Sequence, residues 1–185
     1  MPGPVDREVT VPALAEPVVP RGHPFDAEIE AERIGWYEVL ALVRSLDTHE
    51  VIEPGYYRDP AWSVADLVAH LGTWLAEAGI QLERIGSGTY EPHDVDIDAL
   101  NAEFRAAMHD QPWEVISTQA QASRSRMFET WYALPRRTEA AAWWVAKAGA
   151  DHYREHLDRL GEWVHVLHDR RYDVVPLPTR EGWRE

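Results

Sequence analysis

Two long segments of this chain carry the periodicity of amphipathic helices, and both place histidine on the shoulder of the apolar stripe. In the first, Val64, Leu67, Leu71, Trp74, Leu75, Ala78, Leu82 and Ile85 recur at three- and four-residue steps, the spacing that gathers side chains on one helical face. In the second, Tyr153, Leu157, Leu160, Trp163, Val164 and Leu167 do the same. No stretch shows sustained alternation with the period of a strand, and no segment repeats another. The chain therefore reads as all-α.

Punctuation residues divide it further. Residues 1–25 hold six of the 13 prolines, Pro2, Pro4, Pro12, Pro17, Pro20 and Pro24, which excludes a helix and predicts an extended or disordered N-terminal arm. From about Asp26, Ile29, Trp36, Tyr37, Leu40 and Val43 mark a first helix that ends before Asp47-Thr48. Pro54-Gly55 and Asp59-Pro60 make 47–61 a loop. Ser63-Val-Ala-Asp66 has the form of a capping box, so a second helix starts near Val64 and runs to Gly86-Ser-Gly88. A long connection, 87–111, carries a short amphipathic helix around 98–109. Pro112 opens a third helix, in the first turn where proline is tolerated, and it runs to Leu134-Pro135. Thr138 caps a fourth, predicted to run unbroken from Glu139 to about Asp169, and residues 171–185 form an extended tail. Four main helices with one long crossover between the second and third predict a four-helix bundle over residues 26–170, able to host a site between facing helices.

His152-Tyr-Arg-Glu-His156 is the segment richest in chemistry. Imidazoles at i and i+4 lie about 40° apart around a helix, so both can address one ion while His70 reaches it from the second helix. Nine histidines produce such pairs by chance on solvated faces, but these three face the interior, where a shared cation satisfies all of them. Ala148 and Gly149 precede the pair by one turn. Their small size leaves room for a ligand or serves close helix packing, and Trp74, one turn beyond His70, either lines that space or fills core. Asp66 caps its helix or hydrogen-bonds a ligand imidazole. Asp151, Arg154 and Glu155 belong to a solvated face. His165 and His168 suit a helix C-terminus, and His23, His49, His93 and His109 lack a partner at ligand spacing.

The remaining composition narrows the chemistry. A formal charge of −14, with 18 basic against 32 acidic residues, opposes nucleic-acid and anionic-membrane binding. Cysteine is absent, so any thiol in the chemistry arrives with a ligand. No leader-like or membrane-length apolar run is evident, and the expectation is a cytoplasmic protein acting on a small molecule.

Trp62-Ser-Val-Ala-Asp-Leu-Val-Ala-His70-Leu71, then Asp98-Ala-Leu-Asn101-Ala-Glu, Pro112-Trp113-Glu-Val and His152-Tyr-Arg-Glu-His156-Leu157, in this order, resemble the DinB-like superfamily, including the metal-binding domains of mycothiol-dependent maleylpyruvate isomerases. The middle segment is also similar to the ClbS/DfsB four-helix proteins. The resemblance spans about 26–170 and implies an up-down-down-up four-helix bundle, often a homodimer, with a divalent ion held by His70, His152 and His156. Isomerase relatives can carry glutamate at one late ligand position, where His152 stands here. Three neutral imidazoles favour a borderline metal, Zn²⁺ first, with Ni²⁺, Fe²⁺ or Mn²⁺ as alternatives. The expected activity is transfer of a low-molecular-weight thiol such as mycothiol to an electrophile, a detoxifying S-transferase, with Trp74, Ala148 and Gly149 near the substrate. A metal-hydroxide hydrolase and a ClbS-like drug- or toxin-binding protein without catalysis are the alternatives.

Overall fold

The computed structural model describes residues 26–58, 61–92 and 95–172. The expected N-terminal arm and nearly all of the expected tail lie outside these residues. Among those described, the chain is mainly helical. Helix α1 spans Asp26–Arg44, α2 is a single turn at Thr48–Val51, α3 runs Val64–Ser87, α4 Ile97–Met108, α5 Trp113–Ala133, α6 Glu139–Ala148 and α7 Ala150–Tyr172. Strands β1 (Tyr57–Arg58) and β2 (Ala61–Trp62) pair antiparallel, Tyr57 opposite Trp62. This small ladder sits in a stretch expected to be plain loop, and one-turn α2 was likewise not foreseen. Both are too short to generate a periodic signal.

Local chemistry explains the boundaries. The Ser63 hydroxyl accepts from Asp66 N while Ser63 N donates to the Asp66 carboxylate, the reciprocal arrangement that satisfies orphan amides at a helix start. At the other end of α3, Gly88 takes the left-handed conformation, φ 73°, which costs glycine least. Pro112 immediately precedes α5, and the Thr138 hydroxyl accepts from Ala141 N to start α6.

The last helix is not continuous. Gly149, with φ −104° and ψ −110°, separates α6 from α7 although the flanking backbone bonds persist, Gly149 N to Val145 O and Tyr153 N to Gly149 O, both 2.9 Å. The backbone here is crowded: a Cβ at Gly149 would lie 2.6 Å from Glu32 Cγ and 2.7 Å from Val145 O, so a residue without a side chain is what lets the buried Glu32 approach the helix break this closely.

The long helices pack in pairs, α3 along α5 and α1 along α7, with α6 against α1, α3 and α7 and with α4 laid across α3. Between them lies one continuous core that includes Trp36, Leu67, Leu71, Leu75, Leu82, Met127, Trp131, Trp144 and Leu160. Tyr37, expected on the inner face of α1, is exposed, and Val39 takes the inward place. Across the core runs a buried polar link: Arg124 of α5 donates from Nε and Nη2 to Glu32 of α1 at 2.8 and 2.7 Å, and the Tyr153 hydroxyl of α7 donates to the same carboxylate at 2.9 Å. The Arg124 guanidinium also lies over the Phe128 ring, 4.6 Å from its centre. No described helix is long and apolar enough to cross a membrane.

Candidate metal centre

His70 projects from the second turn of α3. His152 and His156 project from the first two turns of α7, immediately after the break at Gly149. The three come together as the sequence predicts: among the described residues they form a group whose ligand nitrogens lie within 4.8 Å of one another. His152 Nε2 and His70 Nε2 are 2.9 Å apart, and the His70 and His156 ring centres are 5.4 Å apart. An ion bonded to three imidazoles at about 2.0–2.1 Å would need neighbouring nitrogens about 3.0–3.4 Å apart, a spacing that the triad approaches, with the His70–His152 pair just below its lower edge.

Electrostatics keeps the donors neutral. Burial, reinforced by His156, lowers the His70 pKa to about 3. Burial, then the neighbouring His70, His156 and Lys147, lowers that of His152 to about 2. Burial also depresses His156. A neutral imidazole retains the lone pair that ligates a cation, and imidazolium does not.

The surroundings fix the ring orientation. His156 Nδ1 is 2.9 Å from the hydroxyl of Tyr56, a fully buried residue whose phenol is pushed to higher pKa by burial. When Nδ1–H donates to that oxygen, Nε2 is left as the free donor, the arrangement found around metal-bound histidine. The Arg159 guanidinium donates from Nε to the Tyr56 carbonyl at 2.8 Å and pins the loop in place. Trp62 of β2 meets His70 edge to face at 5.3 Å, and Trp74 meets His152 in the same way at 5.8 Å. His152 Nδ1 is buried without a hydrogen-bond partner among the described residues.

The triad faces a cavity of about 290 Å³, walled by Tyr57, Trp62, Trp74 and Ile97 and edged by Asn101, Lys147 and Glu155. Trp74, only 5% exposed, both fills core and lines this space. Ala148 and Gly149 do not line it. Ala148 is fully buried, and Gly149 abuts Glu32, so their small size serves close packing at the break. Glu155, expected only to be solvated, is exposed but stands at the cavity edge. Asp66 does not reach His70; besides its capping role it meets His109 Nδ1 at 3.0 Å, which gives His109 the partner that its sequence neighbourhood did not suggest. His165 pairs with Asp169, and His168 Nε2 lies 3.2 Å from the Ser45 carbonyl. His23 and His93 lie outside the described residues.

Tyr56, Tyr57, Trp62, Ile97, Asn101 and Lys147 are the site residues that spacing did not reveal. The adjacent tyrosines just ahead of the Trp62-Ser63 cap were the available signal, since a tyrosine held in a loop against the core brings a hydroxyl in need of a partner. No family model matches the chain, and comparisons with curated proteins and with solved structures give no significant match.

Proposed function

We propose that the protein is a DinB-like four-helix bundle in which His70, His152 and His156 hold one divalent ion, Zn²⁺ or another borderline metal, and that it transfers a low-molecular-weight thiol to a small electrophile. The observation that carries this reading is the convergence of three neutral, interior imidazoles at the wall of an aromatic cavity. The pairing of α1 with α7 and of α3 with α5, with α4 on the connection between α3 and α5, supports the bundle assignment. An ion with three protein ligands and an open position supplies Lewis acidity that lowers the pKa of a thiol or water presented to it.

The chain's own residues do the rest. Tyr56 orients His156, the burial that keeps the imidazoles unprotonated leaves them available at neutral pH, and the walls of Tyr57, Trp62 and Trp74 offer flat apolar contact to a substrate. Because cysteine is absent, the attacking sulfur comes with the co-substrate. Positioning thiol and electrophile in one cavity is the larger contribution, since a thiol of lowered pKa is also a weaker nucleophile.

The test is a Co²⁺-substituted sample titrated with a small thiol, followed by a conjugation assay with an electrophile. The reading predicts a sulfur-to-metal charge-transfer band and accelerated conjugation, both absent when all three histidines are alanine. Ester or epoxide hydrolysis without thiol ligation would assign the site to water instead. Ligand binding with neither activity would make the protein a sequestering one.

A further inference from the structure

The histidines account for one wall of the cavity but not for its polar edge. Trp74 Nε1 donates to Asn101 Oδ1 at 2.9 Å. This fixes the amide's orientation: the oxygen is committed to the indole, and the two Nδ2 hydrogens are left with no hydrogen-bond partner among the described residues. Lys147 reaches the same cavity from α6, with Nζ 3.1 Å from Glu155 Oε1. That carboxylate is itself 57% exposed, so it can return to water at little cost when another anion takes its place. The edge thus offers one ammonium and one oriented amide from two different helices, above aromatic walls. This set matches a single negative charge carried on a flat body. A phosphate dianion calls for more cationic donors than one lysine, and Lys147 is the one lysine or arginine among the described residues that line this cavity.

We propose that the cavity binds a small aromatic carboxylate, its ring between Trp62, Trp74 and Tyr57 and its carboxylate on Lys147 Nζ and Asn101 Nδ2, with Glu155 displaced to solvent. This rests on reading the cavity as the substrate pocket of the proposed function and names the substrate class; it does not require the metal. Asn101 and Lys147 are then the residues that set specificity for the acid over its neutral analogues.

The experiment uses the full chain, first metal-free and then loaded with Zn²⁺, and measures binding of trans-cinnamate and of cinnamamide by calorimetry and by quenching of tryptophan fluorescence. Metal-free protein is essential because a carboxylate also ligates zinc directly. The expected result is that cinnamate binds metal-free protein about tenfold more tightly than cinnamamide, the lower range for a hydrogen bond to a charged group. Lys147→Met should abolish that preference by weakening cinnamate about tenfold and cinnamamide far less. Asn101→Leu should weaken cinnamate binding several-fold, and circular dichroism should confirm that both variants are folded. Equal affinity for acid and amide, no binding of either, or a preference that survives in Lys147→Met each overturns the proposal. Zinc titrations on the same samples separate the two readings: zinc bound at the triad without acid preference overturns the substrate class alone, whereas acid preference without zinc binding upholds it and removes the metal chemistry.

Discussion

Tyr56→Phe isolates what orientation of one ligand contributes to the proposed metal centre. The ring of Tyr56 packs 4.6 Å from that of Tyr57 and 6.3 Å from that of His156, and phenylalanine keeps those contacts. What is lost is one hydroxyl, 2.9 Å from His156 Nδ1. If Nδ1–H donates to that oxygen when Nε2 ligates the ion, removing the acceptor leaves a buried N–H unsatisfied and the ring free to turn. Loss of such an outer partner lowers metal affinity about 10- to 100-fold, or about 1.4–2.7 kcal/mol. The metal-free protein loses only one buried hydrogen bond, about 1 kcal/mol, and so melts about 2–4 °C lower for a chain of this size. Competition titration of Zn²⁺ against a chromophoric chelator measures the first effect, and thermal denaturation of metal-free samples measures the second. Unchanged affinity, or tighter binding in the variant, would refute the reasoning, because tighter binding means that the hydroxyl donates to Nδ1 and holds the proton on the nitrogen that should ligate.

Three other consequences are open to direct measurement. His70 and His152 have folded pKa values near 3 and 2 against an unfolded value of about 6.5, so below pH 6.5 the unfolded chain takes up protons that the folded one refuses. Their stabilisation is fully present above that pH and is lost as pH falls toward 3, costing about 2 kcal/mol per histidine at pH 5; denaturant midpoints of metal-free protein that stay level between pH 7 and 5 would contradict this. Arg124→Met strands the Glu32 carboxylate in the core and should cost about 3–5 kcal/mol, with part of the loss recovered in the Glu32→Leu double variant, whereas a loss under about 1 kcal/mol in urea unfolding would show the pair to be inconsequential. Gly149→Ala pushes a methyl group into Glu32 and the Val145 carbonyl and should cost about 1–3 kcal/mol, and an unaltered unfolding midpoint would show that this close approach does not require glycine.

How far the sequence disclosed this molecule depends on the range of each interaction. Ser63 and Thr138 announced helix starts because a cap is read within four residues, and the bonds they predict are present. His70, His152 and His156 could be grouped because two share a helix face and all three sit on apolar shoulders. The break at Gly149 was hidden in an alanine-rich run that reads as good helix, and it coincides with the close approach of Glu32, distant in the chain. Glu32 and Arg124 look like two more surface charges until α1 and α5 are packed. Tyr56 and His156 meet across |i−j| of 100, from a loop with no periodicity, and no local pattern records such a contact. The place of Lys147 and Asn101 at the cavity was hidden for the same reason, although Asn101 stood within a recognised motif: a cavity edge is assembled by tertiary packing rather than by spacing.

The central claim is that three histidines from two helices form one metal site, and the most direct test is Zn²⁺ stoichiometry and affinity in the wild type and in His70→Ala, His152→Ala and His156→Ala. The account predicts about one ion per chain in the wild type, binding that collapses in each variant, retention in His165→Ala, and helical circular dichroism throughout, since the Trp- and Leu-rich core does not depend on the ion. One tightly held ion remaining in a His70→Ala/His152→Ala double variant, or no ion in the wild type, would contradict it.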